Sequence, residues 1–173
     1  ELNITNPELI ESIHAKYAAA GSRIVNANTF GASAHKLAGS AYSLEEIIAA
    51  GIANCKRACA PYGALTTLDV GPLGELLEPS GTLAFEDAVN EYARIVRAGV
   101  AAGADLIFFE TFTDLYELKA ALLAAKENST LPILASMSFE AGGRTFTGCT
   151  VESFGVTARG LGANAVGINC SLG

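Results

Sequence analysis

Apolar residues along this chain switch between two periods. Five short runs rich in β-branched or apolar residues recur near Arg23 to Asn28, Ala64 to Val70, Asp105 to Thr111, Pro132 to Ser138 and Asn164 to Cys170, and each predicts a strand. They repeat every ~35 residues, the spacing of βα units. Between them the helical period takes over, most plainly at Phe85, Ala88, Val89, Tyr92, Ile95, Val96, Gly99 and Val100, one apolar stripe at steps of three and four. A second stripe runs through Leu44, Ile48, Ile52, Cys55 and Cys59. Helix starts carry oxygens for the unpaired amides of a first turn: Asn6 before Pro7, Ser43 with Glu46, and Asp114 with Glu117. Gly21, Gly103 and Gly162 stand where helices should end.

Strict alternation of strand and helix predicts a parallel sheet, because a parallel return needs a crossover long enough to hold a helix. A weak internal repeat favours a barrel over a doubly wound sheet. Gly21-Ser22-Arg23-Ile24-Val25, Gly103-Ala104-Asp105-Leu106-Ile107 and Gly162-Ala163-Asn164-Ala165-Val166 are versions of one helix-to-strand junction. Seven residues after each glycine come Asn28, Glu110 and Asn169, followed by Thr29, Thr111 and Cys170. Polar groups therefore gather at the carboxyl ends of three strands, where parallel α/β folds bind ligands. A whole (β/α)8 barrel needs about 250 residues. The expected fold is thus a partial TIM barrel, about strands two to six with their helices, residues 1–173 being a fragment of one domain. A natural five-stranded open sheet is the alternative.

Composition narrows the chemistry. Half of the 173 residues are hydrophobic, enough for one sizeable core. A net charge of −7 leaves no basic face for nucleic acid or anionic lipid. No apolar run is long enough to span a bilayer, and four cysteines are too few for a disulfide scaffold, so a cytoplasmic setting is expected. The phosphate loop, dinucleotide fingerprint, nucleophile elbow and zinc-protease helix are all missing. Every lysine falls on a helix or loop, which disfavours a Schiff-base enzyme.

What remains is carboxylate, amide and thiol chemistry at strand ends. Cys170, after Asn169, is either a metal ligand or nucleophile or else a small buried hydrophobe. Glu110 closes Leu106-Ile107-Phe108-Phe109, a place suited to binding a cation or acting as a base. Asp69 resembles it, but could instead bond turn amides ahead of Pro72. Cys55 and Cys59 read as core, His14 and His35 as solvated or partly buried, and Cys149 has no role.

Asn28-Thr29-Phe30-Gly31-Ala32, Gly71-Pro72, Glu110-Thr111, Gly143-Arg144-Thr145 and Gly167-Ile168-Asn169-Cys170-Ser171-Leu172-Gly173 together resemble the homocysteine S-methyltransferase family. Within it, Leu68 to Leu83 and Asp114 to Glu127 look most like the N-terminal homocysteine module of cobalamin-dependent methionine synthases. The resemblance implies zinc held by three cysteines. Cys170 matches the first of these, and neither the later adjacent pair nor the family's first-strand motif has a match here. It further implies that Glu110, Asn28 and Asn169 bind substrate, that homocysteine is the methyl acceptor, and that the donor is methylcobalamin, carried on other modules of a longer protein, or a small methyl compound. Isolated, such a segment is expected to be inactive and to self-associate through its sheet edges. Two other functions stay open: a non-catalytic α/β module binding an amino acid or a protein, and a metal-free barrel enzyme with a cysteine nucleophile.

Overall fold

A computed structural model describes residues 1–171; Leu172 and Gly173, the end of the last motif above, lie outside the described residues. After a short helix α1 (Leu2–Thr5), which the hydrophobic pattern does not announce, the chain alternates as predicted. Helix α2 (Pro7–Ala19) leads to β1 (Ile24–Asn26), α3 (Leu44–Cys59) to β2 (Leu65–Val70), α4 (Phe85–Ala101) to β3 (Leu106–Phe112), α5 (Leu115–Asn128) to β4 (Ile133–Met137), and α6 (Val151–Gly160) to β5 (Ala165–Ile168). The strands pair in parallel in the order β1-β2-β3-β4-β5. A doubly wound sheet must reverse its order at a switch point, and this one never does. Helices α2 to α6 also touch one another in chain order, forming a single layer on one side of the sheet. This is the architecture of a barrel segment. No helix among the described residues is long and apolar enough to cross a membrane.

The predicted caps are in place with one exception. Ser43 Oγ accepts from the amide of Glu46, whose carboxylate accepts from the amide of Ser43, and Asn6 Oδ1 accepts from the amide of Leu9. Asp114 Oδ1 likewise accepts from the Tyr116 amide, but Glu117 turns away from its expected capping position into the core. There Oε1 accepts from both the Leu73 amide and the Tyr92 hydroxyl, each at 2.8 Å. Burial pushes the Glu117 carboxyl up, while these two donors and Lys36 oppose that. The bonds tie α5 to the loop after β2. Gly71 in the same loop lies against Phe30, whose ring would stand 2.5 Å from any added Cβ.

The core fills the space between sheet and helices. On α4 the stripe buries Ala88, Tyr92, Ile95, Val96 and Gly99, although Val100 at its end is exposed. Tyr92 meets Phe109 and Phe112 with ring centroids 6.0–6.1 Å apart. Cys55 and Cys59 complete the α3 stripe, fully buried, with sulfurs 3.8 Å apart. Burial pushes the Cys55 thiol up to about 12, as suits an inert core thiol. His14, read from the sequence as solvated or partly buried, is buried, with Nε2 unpartnered among the described residues and its pKa lowered by burial.

Sheet register sorts the strand residues onto two faces. Val25, Leu68, Val70, Ile107, Phe109, Ile133, Ala135 and Met137 face the helices and are buried. The opposite face pairs Ile24 with Leu65 and Leu134 with Ala165 near its amino end, then Asn26 with Thr67 and Ser136 with Gly167 further along. Apolar residues floor this face and polar residues rise toward the carboxyl ends.

Candidate active site

A bulge in β3 builds the centre of the site. Phe109 pairs with Ala135 and Phe112 with Met137, so three steps on β3 match two on β4. The extra residue lets both phenylalanines face the core although they are an odd number apart, and both are fully buried. Glu110 and Thr111, caught between them, project at the strand end. Thr111 takes φ 63°, and among the described residues the other non-glycine residue with positive φ is Cys170, at 48°.

These two residues meet. Thr111 Oγ1 lies 3.7 Å from Cys170 Sγ as a donor. Asn169 binds the cluster together: its Nδ2 donates to Glu110 Oε2 at 3.1 Å and to Thr111 Oγ1 at 2.8 Å, while its Oδ1 accepts from the Thr111 amide and from Ser136 Oγ. Two donors and two acceptor positions are all that such an amide offers. The geometry therefore has Asn169 orienting Glu110 and Thr111, whose hydroxyl in turn meets the Cys170 thiol. The Cys170 thiol is exposed and borders a cavity of about 570 Å³ with Ser138, Phe139, Glu140, Phe146 and Ser171. Its neighbour Ser171 holds the Phe139 amide.

A second group gathers at the ends of β1 and β2. Asn28 Nδ2 donates to Asn3 Oδ1, and Asn3, itself buried, returns a bond to the Asn28 carbonyl. The first helix thus anchors the strand end, a role for Asn3 with no sequence signature. Thr29 Oγ1 donates to the Asp69 carbonyl at 2.8 Å and accepts from the Asp69 amide at 3.0 Å. Both backbone groups of Asp69 are thereby fixed. Its carboxyl bonds no turn amides, contrary to the simpler sequence reading: it is 6% exposed, with Oδ1 unpartnered among the described residues. Burial first, and the nearby charge of Glu110 second, push it up to about 8. Burial also raises Glu110. Asp69 and Asn28 border a cavity of about 470 Å³ that extends along β1 to His14 on α2.

Three of the four sequence-selected residues, Glu110, Asn169 and Cys170, are thus joined by hydrogen bonds, while Asn28 stands with Asp69 across the mouth. The charge of Glu110 is felt at Asp69, where it adds to the effect of burial. Cys149 is half-buried in the loop before α6, with its thiol donating to the Thr150 carbonyl. His35 is exposed beside Glu75. For zinc, the described residues offer Cys170 alone, because no group of three His, Cys, Asp or Glu side chains is close enough to hold a metal ion. The set does not by itself fit a zinc centre.

Comparison with known proteins agrees with this fold. The family model described as homocysteine S-methyltransferase matches residues 1–172. Methionine synthase of Mycobacterium tuberculosis is 28% identical over 184 residues, an alignment that takes in 99% of this chain and 15% of that protein. The metallated form of the homocysteine methyltransferase MmuM from Escherichia coli superposes with a TM-score of 0.85 at 18% identity, over 98% of this chain and 65% of that one. The oxidized form gives 0.87 at 21% identity. The chain therefore spans about two thirds of the related barrel and a small part of the methionine synthase.

Proposed function

The chain belongs to the homocysteine S-methyltransferase family, and from that membership we propose that it is part of a zinc-dependent barrel transferring a methyl group to the thiol of homocysteine, giving methionine. The observation that carries this reading is the bonded cluster Glu110–Asn169–Thr111–Cys170, which sets a carboxylate and an exposed thiol on one rim. Residues 1–173 supply about strands two to six of the barrel and Cys170 supplies one metal ligand. Two further cysteines must come from the rest of a longer protein, whose other modules carry methylcobalamin unless a small methyl donor serves instead.

A free thiol of pKa about 8.5 is mostly protonated at neutral pH and accepts a methyl group poorly. Cys170, joined by two further cysteines, would hold a zinc ion, which would supply the charge that keeps a coordinated thiol as thiolate. The residues of this chain do the positioning. Glu110, fixed by Asn169, meets the ammonium end of the amino acid, Asn28 lines the far wall, and the apolar floor of the sheet excludes water from below. In the complete barrel, Glu110→Gln is expected to raise the KM for homocysteine at least tenfold with little change in kcat, since it removes binding that ground state and transition state share. Steady-state kinetics check it. An unchanged KM with a large fall in kcat would make Glu110 part of the chemistry instead.

On its own, we expect the chain to self-associate. All four residues of β5 are exposed, and Val166, Ile168 and Val156 leave an uncovered apolar face beside an unpaired sheet edge. Sedimentation at tens of micromolar should reveal dimers or larger species. A compact monomer would refute this and favour a self-sufficient open sheet.

A further inference from the structure

Two serines, Ser136 in β4 and Ser138 just past its end, commit their hydroxyls to one residue of the neighbouring strand end. Ser136 Oγ donates to Asn169 Oδ1 and Ser138 Oγ to the Asn169 carbonyl, each at 2.9 Å. Met137 between them is buried, and its carbonyl accepts from the Asn169 amide at 3.3 Å. The Asn169 carbonyl also takes Ser171 Oγ at 3.1 Å, so both of its lone pairs are engaged. That oxygen belongs to the peptide unit joining Asn169 to Cys170, and turning this unit is what changes φ of Cys170. A non-glycine residue stays at φ 48° only where its surroundings over-determine it. Of the two hydroxyls on the carbonyl, that of Ser171 moves with the same turn as Cys170. Ser138 does not, because its amide is anchored to the Phe112 carbonyl at 2.9 Å.

We infer that Ser138 is the positioning residue of the Cys170 thiol and Ser136 that of the Asn169 side chain. With the carbonyl fixed by Ser138, Cys170 keeps its left-handed conformation and its sulfur stays 3.7 Å from Thr111 Oγ1, beside the cavity that Ser138 also borders. Released from it, Cys170 relaxes to a negative φ and the thiol leaves that hydroxyl. Ser136 shares Asn169 Oδ1 with the Thr111 amide, which leaves Nδ2 aimed at Glu110 and at Thr111 Oγ1. Both serines act through Asn169, whatever the thiol itself meets.

The test compares Ser138→Thr with Ser138→Val in the whole chain, because the two side chains share a shape and only the first keeps the hydroxyl. A positive φ brings a residue's own amide and α protons unusually close. Cys170 should therefore show a strong nuclear Overhauser effect between them in the wild type and in Ser138→Thr. In Ser138→Val it should be lost, along with the contacts between the Thr111 methyl and the Cys170 β protons, while the same intraresidue effect at Thr111, set by the β3 bulge, persists. Ser138→Ala supplies a second hydroxyl-free variant, read in the same way. Ser136→Ala should keep the Cys170 effect and abolish the contacts of the Asn169 side-chain amide protons with Thr111. All of this is measured without zinc or homocysteine, so it stands apart from the methyltransferase reading. An undiminished Cys170 effect in the hydroxyl-free variants, or its loss in Ser138→Thr as well, would overturn the role of Ser138. Asn169 contacts that survive Ser136→Ala would overturn that of Ser136.

Discussion

Cys170→Ala, introduced into a complete barrel carrying this sequence, is expected to lower zinc affinity by more than ~100-fold, the upper range for losing a group that merely supports a ligand. Homocysteine binding should fall with it, because the thiol would have no metal to meet. Cys55→Ala in the same protein should retain zinc, since that thiol is buried between α3 and β1 with Val25 O as its acceptor. Metal content after dialysis, measured by emission spectroscopy, separates the cases. Stoichiometric zinc in Cys170→Ala would remove this residue from the ligand set. Equal loss in both variants would mean that the metal site is not where the exposed thiol lies.

The second large effect concerns pH. Asp69 releases its proton near pH 4 in the unfolded chain and only at about 8 in the folded one. Below pH 4 both states hold the proton and this group's contribution is fully present. Between pH 4 and 8 the unfolded state alone gives it up, so stability declines through that window and the loss is complete above the folded value. At roughly 1.4 kcal/mol per pKa unit the decline is on the order of a few kcal/mol. Glu110 and Glu117, both raised by burial, act in the same sense. His14, lowered by burial, acts oppositely as the pH falls below its unfolded value. Asp69→Asn isolates the effect: urea midpoints of variant and wild type should nearly coincide at pH 4 and separate in favour of the variant by pH 8. Parallel profiles across the range would show that Asp69 ionises in the fold as it does in water.

The element pattern was legible because barrel units repeat one physical solution, an apolar strand and an amphipathic helix joined at a glycine with positive φ, and Gly21, Gly103 and Gly162 all adopt it. Glu110 and Cys170 stood out for a related reason: a polar group directly after an apolar strand has few packing roles. Other features arise from contacts between distant segments. Nothing about Asn3 announces that it will clasp Asn28, or about Glu117 that it will abandon a helix start for the Leu73 amide. Asp69 was undervalued since a carboxylate before Gly-Pro has an ordinary local explanation, and only the closing of Thr29 over its backbone removes that explanation. The β3 bulge was invisible too, because the run from Leu106 to Phe112 reads as uninterrupted strand.

That bulge sets a conflict for anyone who evolves this chain. A β-branched threonine at φ 63° and a cysteine at φ 48° each hold a conformation that glycine adopts freely, at a cost of order 1–3 kcal/mol apiece. Heat selection applied without a demand for activity would drift toward glycine at both positions, and each step would look like an improvement. The hydroxyl that meets the thiol would vanish with the first substitution and the thiol itself with the second. Thermal tolerance and chemical competence are opposed at these two addresses, and libraries screened for one alone will converge on well-behaved, empty scaffolds.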